Sequence, residues 1–538
     1  MIVNYLIRQR ERQFRNQIRG FRRALRDGYI NKIRKLETSL VNLKLRIEPS
    51  FEERVVFGST YLRTEVIIRQ FLLQVYSGRL LQQKVFRSYG CNGKSVIYTM
   101  PKIWRVELNK HGLSFNIQLS SLSWALEIVS RYIHGVLIIL KLIVCGFINA
   151  AFVTPKIAIK HVYLYDLHRR NIPHASTDIF GFDICSWYAG WAGRDLAVEM
   201  IAHDVVNAPT NRLGKLDVAY IPPPFAHLEN LRQIRQFIVW AIQSLVIALF
   251  SMLYGRWWNS LILAEAARAA VVRFSDSERL AEDYLFHFSR SIYRPLWTYE
   301  AEARGSRITC YFYSTYEQPR LPNREESQLY EWGPSTWPLF LVWNEYQASK
   351  LKRELGANTT VKIVGEIYFS DLLETIPELP NKTIAVFDIQ PHRITNVYGI
   401  STLYDYYYGY PKVHQLFLED IAEAVRESGL TMTLKSKRFI ARNGSKRYIS
   451  QVSRLETNND IIIVPSELSA VRLIQKCIGT ISAPFTSTAL YLHEQGYESV
   501  YYDPLGILSK DDPGAHGIQI LISKTELYAW VKKLKHTE

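Results

Sequence analysis

The sequence predicts an α/β protein with two Rossmann-like domains, an N-terminal basic helical region and two hydrophobic helical insertions. Segments of strand length alternate with segments of helix length over most of the 538 residues. A linker with two prolines, ETIPELPNK at 374–382, divides this pattern into a longer and a shorter part. We therefore predict a basic helical region at 1–94, a first Rossmann-like domain at 95–375 and a second at 376–538.

The composition supports a globular chain with a positive charge. Hydrophobic residues make up 48%, aromatic residues 13% and charged residues 22%, a mixture that excludes a disordered or fibrous protein. The 66 Lys and Arg residues outnumber the 50 Asp and Glu residues, which gives a formal net charge of +16. Five scattered cysteines without a CxxC pair predict reduced thiols in the cytosol, with neither a zinc site nor a disulfide framework.

More than half of the net charge lies in residues 1–35, which carry eleven basic residues against Glu11 and Asp27. Apolar residues from Phe14 to Leu43 recur every three or four positions, a spacing that places them on one helical face. The segment is either a basic amphipathic helix on an anionic membrane surface or a solvated helix docked on its own domain. We expect no nucleic acid partner.

Two apolar stretches, residues 135–153 and 237–254, are each about long enough to cross a bilayer core of roughly 30 Å. Only Lys141 and Asn149 interrupt the first, and the second contains no charge. Residues 155–235 are rich in Lys and Arg, which disfavours their lying across the membrane. We therefore favour helices that dip into one leaflet or pack beside it, with membrane spanning and a buried soluble core as alternatives. The expected location is the cytoplasmic face of the inner membrane.

In the first Rossmann-like domain, strands are predicted at six positions, with a helix at 102–112 closed by Gly112. The predicted strands are 95–101, 113–120, 161–167, 308–315, 338–343 and 359–369. In the second domain a strand at 383–389 precedes an amphipathic helix at 414–429 and a strand at 430–437. The rest alternates strand and helix up to a final helix, KTELYAWVKKLK. Parallel crossovers of this kind predict a Rossmann-like sheet.

The segment GTISAPFTSTALYLHEQG predicts an anion site in the second domain. Ser482 ends a strand, Pro484 fixes the turn, and Thr486, Ser487 and Thr488 begin the next helix. Hydroxyls and free N–H groups at a helix N-terminus suit the phosphates of a nucleotide. The alternative is simple N-capping, for which one Ser or Thr suffices.

Cations follow a neighbouring strand of the same sheet, at Lys435 and Lys437. Preorganised donors of this kind stabilise charge that develops on a leaving phosphate. A solvated basic turn is the alternative. His392 follows the first strand of the domain and either contacts the ligand or caps the following helix.

The segment APFTSTALYLHEQGYESVYYDP, with its Pro484-Phe485-Thr486-Ser487 core, resembles the polysaccharide biosynthesis proteins named for a PFTS motif. Those proteins are similar to bacterial glycosyltransferases of the GT-B type, including sialyl- and Kdo-transferase-like enzymes, and the resemblance covers about residues 95–525. It implies a nucleotide-sugar donor in the second domain and a glycan or lipid-linked acceptor in the first. Where related enzymes often place a His-Pro pair at the donor phosphate, this chain has Lys435-Ser436-Lys437.

The sequence contains no Asp-x-Asp motif and no His, Cys and carboxylate cluster with metal-ligand spacing. We therefore expect metal-independent, inverting transfer with no cofactor. Such transfer needs a general base, and the candidates are Asp166, Asp183 and Glu345, with Asp166 favoured because His168 lies beside it. A nucleotide-sugar epimerase, a polyol-phosphate transferase or a non-catalytic membrane-docked scaffold of polysaccharide assembly is the alternative function.

Overall fold

The computed structural model describes most of the chain between residues 36 and 536. The described residues are 36, 39–48, 50–76, 96–152, 160–167, 172, 184–192, 198–208, 210–222, 225, 227–287, 293–312, 334–367, 377–389, 391, 411–436, 445–466, 468 and 470–536. They form two compact units, a larger one from 36 to 367 and a smaller one from 377 to 536. The basic segment 1–35 lies outside the described residues, so its two interpretations stay predictions.

The described strands of the larger unit form one eight-stranded sheet. In chain order they are β1 (His161–Tyr165), β2 (Met200–His203), β3 (Asn211–Leu213), β4 (Leu216–Tyr220), β5 (Asp283–His287), β6 (Arg307–Tyr311), β7 (Leu339–Val342) and β8 (Val361–Ile363). Their order across the sheet is β3-β4-β2-β1-β5-β6-β7-β8. All neighbours are parallel except β3 and β4, which form an antiparallel pair.

The parallel strands run outward in both directions from β1 and β5, which is the doubly wound arrangement of a Rossmann-like sheet. Register pairs Tyr165 with Phe286, so β1 and β5 end side by side. The strand order reverses between them, and such a switch point is where open α/β sheets bind ligands. The predicted fold class is confirmed for this unit.

The helices of the larger unit include three long apolar ones. In chain order the described helices are α1 (Glu53–Phe57), α2 (Thr64–Leu72), α3 (Lys102–Lys110), α4 (Ile117–Phe152), α5 (Ile184–Ala192), α6 (Leu231–Leu253), α7 (Trp258–Phe274), α8 (Leu296–Ala303) and α9 (Glu345–Leu355). Helices α4, α6 and α7 pack against one another. Residues 36–76 join this bundle, since the Trp240 indole N–H in α6 donates to the Val55 carbonyl at 2.8 Å.

Two predicted strands of the larger unit are wrong. Residues 113–120 were expected to be extended, yet α4 begins at Ile117 within them. The Asn116 side chain accepts a hydrogen bond from the Leu119 N–H at 2.9 Å, which caps the new helix. Residues 96–100, within the predicted strand 95–101, form no strand, because the Tyr98 N–H bonds to the Ser120 hydroxyl and not to a sheet neighbour. The predicted helix at 102–112 is confirmed as α3.

Both predicted hydrophobic segments are helices, and each belongs to a longer one. Helices α4 and α6 are the two described helices long and apolar enough to cross a bilayer by length and composition. Leu137, Leu140 and Val144 of α4 are more than half exposed, as are Ile242 and Leu253 of α6. Helix α7 differs, since its Leu261, Ile262 and Val272 are buried. Helices α4 and α6 therefore carry an apolar surface that α7 does not.

The smaller unit contains a second parallel sheet. Its described strands are β9 (Thr383–Asp388), β10 (Thr431–Ser436), β11 (Ile462–Val464), β12 (Gly479–Ser482), β13 (Ser499–Tyr502) and β14 (Gln519–Leu521). Its described helices are α10 (Pro411–Glu427), α11 (Lys446–Thr457), α12 (Ala470–Ile474), α13 (Ser487–Glu494) and α14 (Lys524–Lys535). The strand order is β11-β10-β9-β12-β13-β14, the Rossmann order, with the switch point between β9 and β12.

The core of the smaller unit packs α10, α11 and α14 against one face of this sheet. Strand β12 needs glycine at its first position, because a Cβ on Gly479 would lie 2.8 Å from Leu534 Cδ1 and 3.2 Å from the Trp530 ring. Asp420 of α10 accepts from the Tyr502 hydroxyl at 2.6 Å and pairs with Lys524 at 2.7 Å. These contacts fix β12 and β13 against the helices, and thereby fix the loop that follows β12.

Candidate functional site

The switch point of the larger unit places Asp166 directly after β1. Asp166 has a φ of +61°, a left-handed conformation that is uncommon for residues other than glycine. The Asp204 carboxylate, which follows β2, accepts from the Asp166 N–H at 2.9 Å and from the Leu167 N–H at 3.2 Å. Backbone strain of this kind concentrates at functional sites. Asp204 thus holds the favoured candidate base in an exposed turn.

Burial and the Asp204 carboxylate change the pKa of Asp166. Partial burial raises the pKa of Asp166, and the negative charge of Asp204 raises it further. A carboxylate with a raised pKa binds a proton more readily, which is what a general base requires. The electrostatics of this turn therefore favour a proton acceptor at Asp166.

Two histidines end the strands beside Asp166. His287, the last residue of β5, is buried, and its Nδ1 lies 2.8 Å from the Tyr165 carbonyl oxygen. Burial lowers the pKa of His287 to about 4, so the ring is neutral at pH 7. His203, the last residue of β2, is also fully buried, and its Nδ1 accepts from the Val205 N–H at 3.2 Å. The switch point is thus lined by neutral imidazoles and two carboxylates.

Glu345 lies at the same edge of the sheet but far from Asp166. It is the first residue of α9, after β7, and β7 lies three strand spacings from β1. Three spacings amount to roughly 14 Å, so the two carboxylates cannot contact one acceptor hydroxyl. The Asn344 side chain accepts from the Gln347 N–H at 3.1 Å, so Glu345 is in the first turn of a capped helix. A carboxylate at that position stabilises the helix, because its negative charge interacts favourably with the helix dipole.

In the smaller unit, Ser482 and Thr486 lie at the switch point after β12. Both side chains are buried, and neither hydroxyl has a hydrogen-bond partner among the described residues. Thr486 is the N-cap residue of α13, yet its side chain makes no capping bond. Because an unpaired buried hydroxyl costs about 1–3 kcal/mol, two of them within five residues favour a ligand as their hydrogen-bond partner. Simple capping does not account for Thr486.

The turn between β12 and α13 is also strained. Phe485 has a φ of +59°, and its ring stacks on Tyr501 with the centroids 5.7 Å apart. The Tyr501 hydroxyl donates to the Thr486 carbonyl at 3.2 Å. The Phe485 turn brings the half-buried Ser487 and Thr488 into the first turn of α13, whose leading N–H groups have no partner within the helix. Hydroxyls and N–H groups therefore converge at one helix N-terminus, a geometry that binds anions.

Lys435 lies apart from this cluster. It is on β10, two strand spacings or roughly 10 Å from β12. Its ammonium group donates to the Ser466 carbonyl at 3.1 Å, and Ser466 follows β11, on the side of β10 away from β12. Its predicted contact with the leaving phosphate stays a prediction. Asp183, His168, His392 and Lys437 lie outside the described residues.

Asp204, His203 and His287 were not among the residues that the sequence predicted for the site. Strands β2 and β5 were not predicted, so the residues at their carboxyl ends could not be predicted to lie near Asp166. A usable signal was present in β5, whose sequence DYLFH contains the apolar run Tyr284-Leu285-Phe286. Among the described residues, no group of three or more His, Cys, Asp or Glu is placed to hold a metal ion.

Solved structures similar to this chain include a complex with UDP and a complex with UDP-GlcNAc and UDP. A variant of Os79 from O. sativa in complex with UDP is 11% identical, covers 70% of this chain and 91% of its own, and has a TM-score of 0.36. The UDP-GlcNAc 2-epimerase of Methanocaldococcus jannaschii is 9% identical, with coverage of 71% and 94% and a TM-score of 0.35. The sucrose-phosphate synthase of Thermosynechococcus elongatus is 10% identical, with coverage of 70% and 92% and a TM-score of 0.35.

No curated protein sequence matches the chain. A family model does, described as polysaccharide biosynthesis PFTS motif protein, and it spans residues 240–531, more than half of the chain. The matched region includes the Pro484-Phe485-Thr486-Ser487 turn and the whole sheet of the smaller unit. The chain therefore belongs to the polysaccharide biosynthesis PFTS motif protein family.

Proposed function

We propose that this protein is a membrane-associated glycosyltransferase of surface polysaccharide biosynthesis. It moves a sugar from a nucleotide-sugar donor to a lipid-linked glycan acceptor, without a metal ion and with inversion at the anomeric carbon. The observation that carries the proposal is the pair of buried hydroxyls, Ser482 and Thr486, at the switch point of the smaller unit. Family membership supports the polysaccharide pathway.

The donor site is assigned to the loop between β12 and α13. The nucleoside diphosphate of the donor supplies anionic oxygens, which accept hydrogen bonds from hydroxyls and from the N–H groups at a helix N-terminus. Ser482 and Thr486 offer buried hydroxyls there, and Ser487 and Thr488 offer half-buried ones. Hydrogen bonds to the diphosphate strengthen as the bond between the sugar and the donor phosphate breaks, which lowers the activation free energy for departure of the nucleoside diphosphate.

The base is assigned to Asp166 in the larger unit. The acceptor hydroxyl oxygen forms a bond to the anomeric carbon while the bond from that carbon to the donor phosphate breaks. The hydroxyl proton passes to the Asp166 carboxylate, and the nucleoside diphosphate leaves with the electron pair of the broken bond. The raised pKa of Asp166, which partial burial and the Asp204 charge produce, supports this assignment.

Membrane association is assigned to α4 and α6. Both helices present apolar side chains to the surface, among them Leu137 and Val144 in α4 and Ile242 in α6. Contiguous apolar surface of this length is typical of a membrane or partner interface. We place the protein at the cytoplasmic face of the inner membrane, with these helices lying in or beside one leaflet.

The test incubates the detergent-purified protein with a panel of nucleotide sugars, with and without a lipid-linked glycan extract, in the presence of EDTA. The proposal predicts release of free nucleotide only when acceptor is present, at a rate that EDTA leaves unchanged. Isomerised donor without acceptor would identify an epimerase. A transferred alditol phosphate would identify a polyol-phosphate transferase. Absence of any nucleotide-dependent reaction would favour the scaffold function.

A further inference from the structure

The larger unit contains a cavity of about 630 Å³ that the proposed donor and base do not use. It lies between α4, α7 and the carboxyl end of β1, since Cys145 of α4, Arg268 of α7 and Tyr165 of β1 all line it. Most of the lining is apolar, with residues such as Ile138 and Trp297. Tyr165 directly precedes Asp166, so the cavity lies next to the strand end that carries the proposed base.

The two polar residues that interrupt the apolar stretch of α4 both face this cavity. Lys141 and Asn149 line it together with Ile138, Leu142 and Cys145. Lys141, Cys145 and Asn149 are four residues apart, and Ile138, Leu142 and Cys145 are four and three apart, which places these side chains on one stripe of the helix. The apolar residues Leu137, Leu140 and Val144 lie outside that stripe and are exposed. Helix α4 thus has a polar stripe toward the cavity and an apolar face elsewhere.

Lys141 is an exposed lysine within the apolar stretch of α4, and in the proposed membrane location a lysine there would be costly and retained mainly where it has a function. The other charges of the cavity do not explain it. Glu265 pairs with Arg268 and accepts from the Tyr293 hydroxyl at 3.2 Å. Lys141 has no carboxylate partner among the described residues. The cavity therefore carries one uncompensated positive charge and fits an anion with an apolar tail.

We propose that this cavity binds the phosphate of a lipid-linked acceptor, with the phosphate at Lys141 and the hydrocarbon chain along the apolar face of α4. This inference rests on the proposed glycosyltransferase function, of which it names the acceptor class and its site. A glycan attached to that phosphate extends past Tyr165 toward Asp166. Asn149 and His227, which also line the cavity, are placed to bond to the phosphate or to the first sugar.

The test uses Cys145 as a reporter on the full-length protein in detergent, with Cys91 and Cys477 changed to Ser. The rate at which a maleimide modifies Cys145 is measured against increasing dodecyl phosphate, with dodecanol as the uncharged comparison. We expect saturating dodecyl phosphate to slow modification at least tenfold, and dodecanol at the same concentration to slow it less than threefold.

The variant Lys141→Gln should weaken protection by dodecyl phosphate at least tenfold, because it removes the charge and keeps a polar side chain of similar length. The matched control is Lys215→Gln, which removes an exposed charge in the turn between β3 and β4 and should leave protection unchanged. Equal protection by phosphate and alcohol, or unchanged affinity in Lys141→Gln, would overturn the proposal.

Vesicles of phosphatidylglycerol without dodecyl phosphate test the other source of the same chemistry. We expect them to leave Cys145 reactive, and protection equal to that by dodecyl phosphate would make the cavity a general phospholipid site. Because the readout is protection of a thiol, it does not depend on sugar transfer. Lys141→Gln should still bind donor nucleotide, so a failed donor assay in wild-type protein contradicts the proposed function and leaves the cavity result standing.

Discussion

The two units share a doubly wound sheet and differ in what they place at the switch point. In the larger unit Asp166 follows β1 and His287 ends β5, and burial has shifted the pKa values of both titratable groups. In the smaller unit the loop after β12 offers the hydroxyls of Ser482 and Thr486, which are not titratable at pH 7. The first edge suits proton transfer and the second suits anion binding. In the proposed function, the first edge supplies the general base and the second supplies the donor site.

The largest expected effect on kcat is at Asp166. Asp166→Asn removes the proton acceptor while keeping the size of the side chain, and we expect kcat to fall about 10³-fold, within the usual range for a general base. Glu345→Gln is the matched control, since Glu345 lies three strands away, and we expect less than a threefold change in kcat. The measurement is sugar transfer at saturating donor. A large loss in Glu345→Gln with little loss in Asp166→Asn would reassign the base.

Substitutions of the hydroxyl residues at the start of α13 should change the affinity for the donor. The double variant Ser487→Ala with Thr488→Ala removes two hydroxyls from the first turn of α13, and we expect the donor Kd to rise by about 100-fold or more, since each hydrogen bond to a charged group contributes roughly 1.5–3 kcal/mol. Thr457→Ala, an exposed hydroxyl on α11, should leave the Kd unchanged. Titration calorimetry measures both. Wild-type donor affinity or wild-type transfer in the double variant would remove this edge from the donor site.

The buried histidine of the larger unit should make stability depend on pH. His287 has a pKa lowered to about 4, whereas in the unfolded chain it titrates near 6.5, so the unfolded state binds more protons between these values. The free energy of unfolding therefore falls as the pH drops through this range, by roughly 2 kcal/mol between pH 7 and 4.5 for His287 alone. Urea unfolding at both pH values tests this. His287→Gln should lose less stability on acidification, and an equal loss would contradict the assignment.

The smallest effect expected is a shift in the pH profile. Asp204 raises the pKa of Asp166, so Asp204→Asn should lower it and move the acidic limb of the kcat profile to lower pH. The measurement is transfer rate against pH, with Asp217→Asn as a control. Asp217 is an exposed residue on β4 whose change should leave the limb in place. A limb that moves to higher pH would exclude Asp166 as the titrating base.

The sequence predicted the smaller unit well because its strands are apolar and separated by amphipathic helices. The predicted strand 383–389 and helix 414–429 correspond closely to β9 and α10. In the larger unit the strands from β2 to β5 escaped prediction, and two of them are short, since β2 has four residues and β3 has three. Residues 113–120 were predicted as a strand because a short apolar run fits a strand or a helix until a cap such as Asn116 is recognised.

For the site, the sequence could name carboxylates at strand ends and favoured Asp166 only because His168 lies beside it. The distance between Asp166 and Glu345 became known only from the strand order. Thr486 could be assigned to the helix start, yet the absence of a capping bond depends on side-chain geometry that a pattern does not contain. The proximity of Asp204 to Asp166 follows from the pairing of β2 with β1, which the sequence did not predict.

Nucleotide binding is the most direct test of the account. The full-length protein is screened for thermal stabilisation by CMP, UDP, GDP and TDP, since a ligand present at 100 times its Kd stabilises the fold by about 2.7 kcal/mol. We predict that one of these nucleotides raises the melting temperature of the wild-type protein and leaves the Ser487→Ala, Thr488→Ala double variant unchanged. Failure of all four to stabilise the wild-type protein would contradict the central claim that the turn at Pro484-Phe485-Thr486-Ser487 holds a nucleotide-sugar donor.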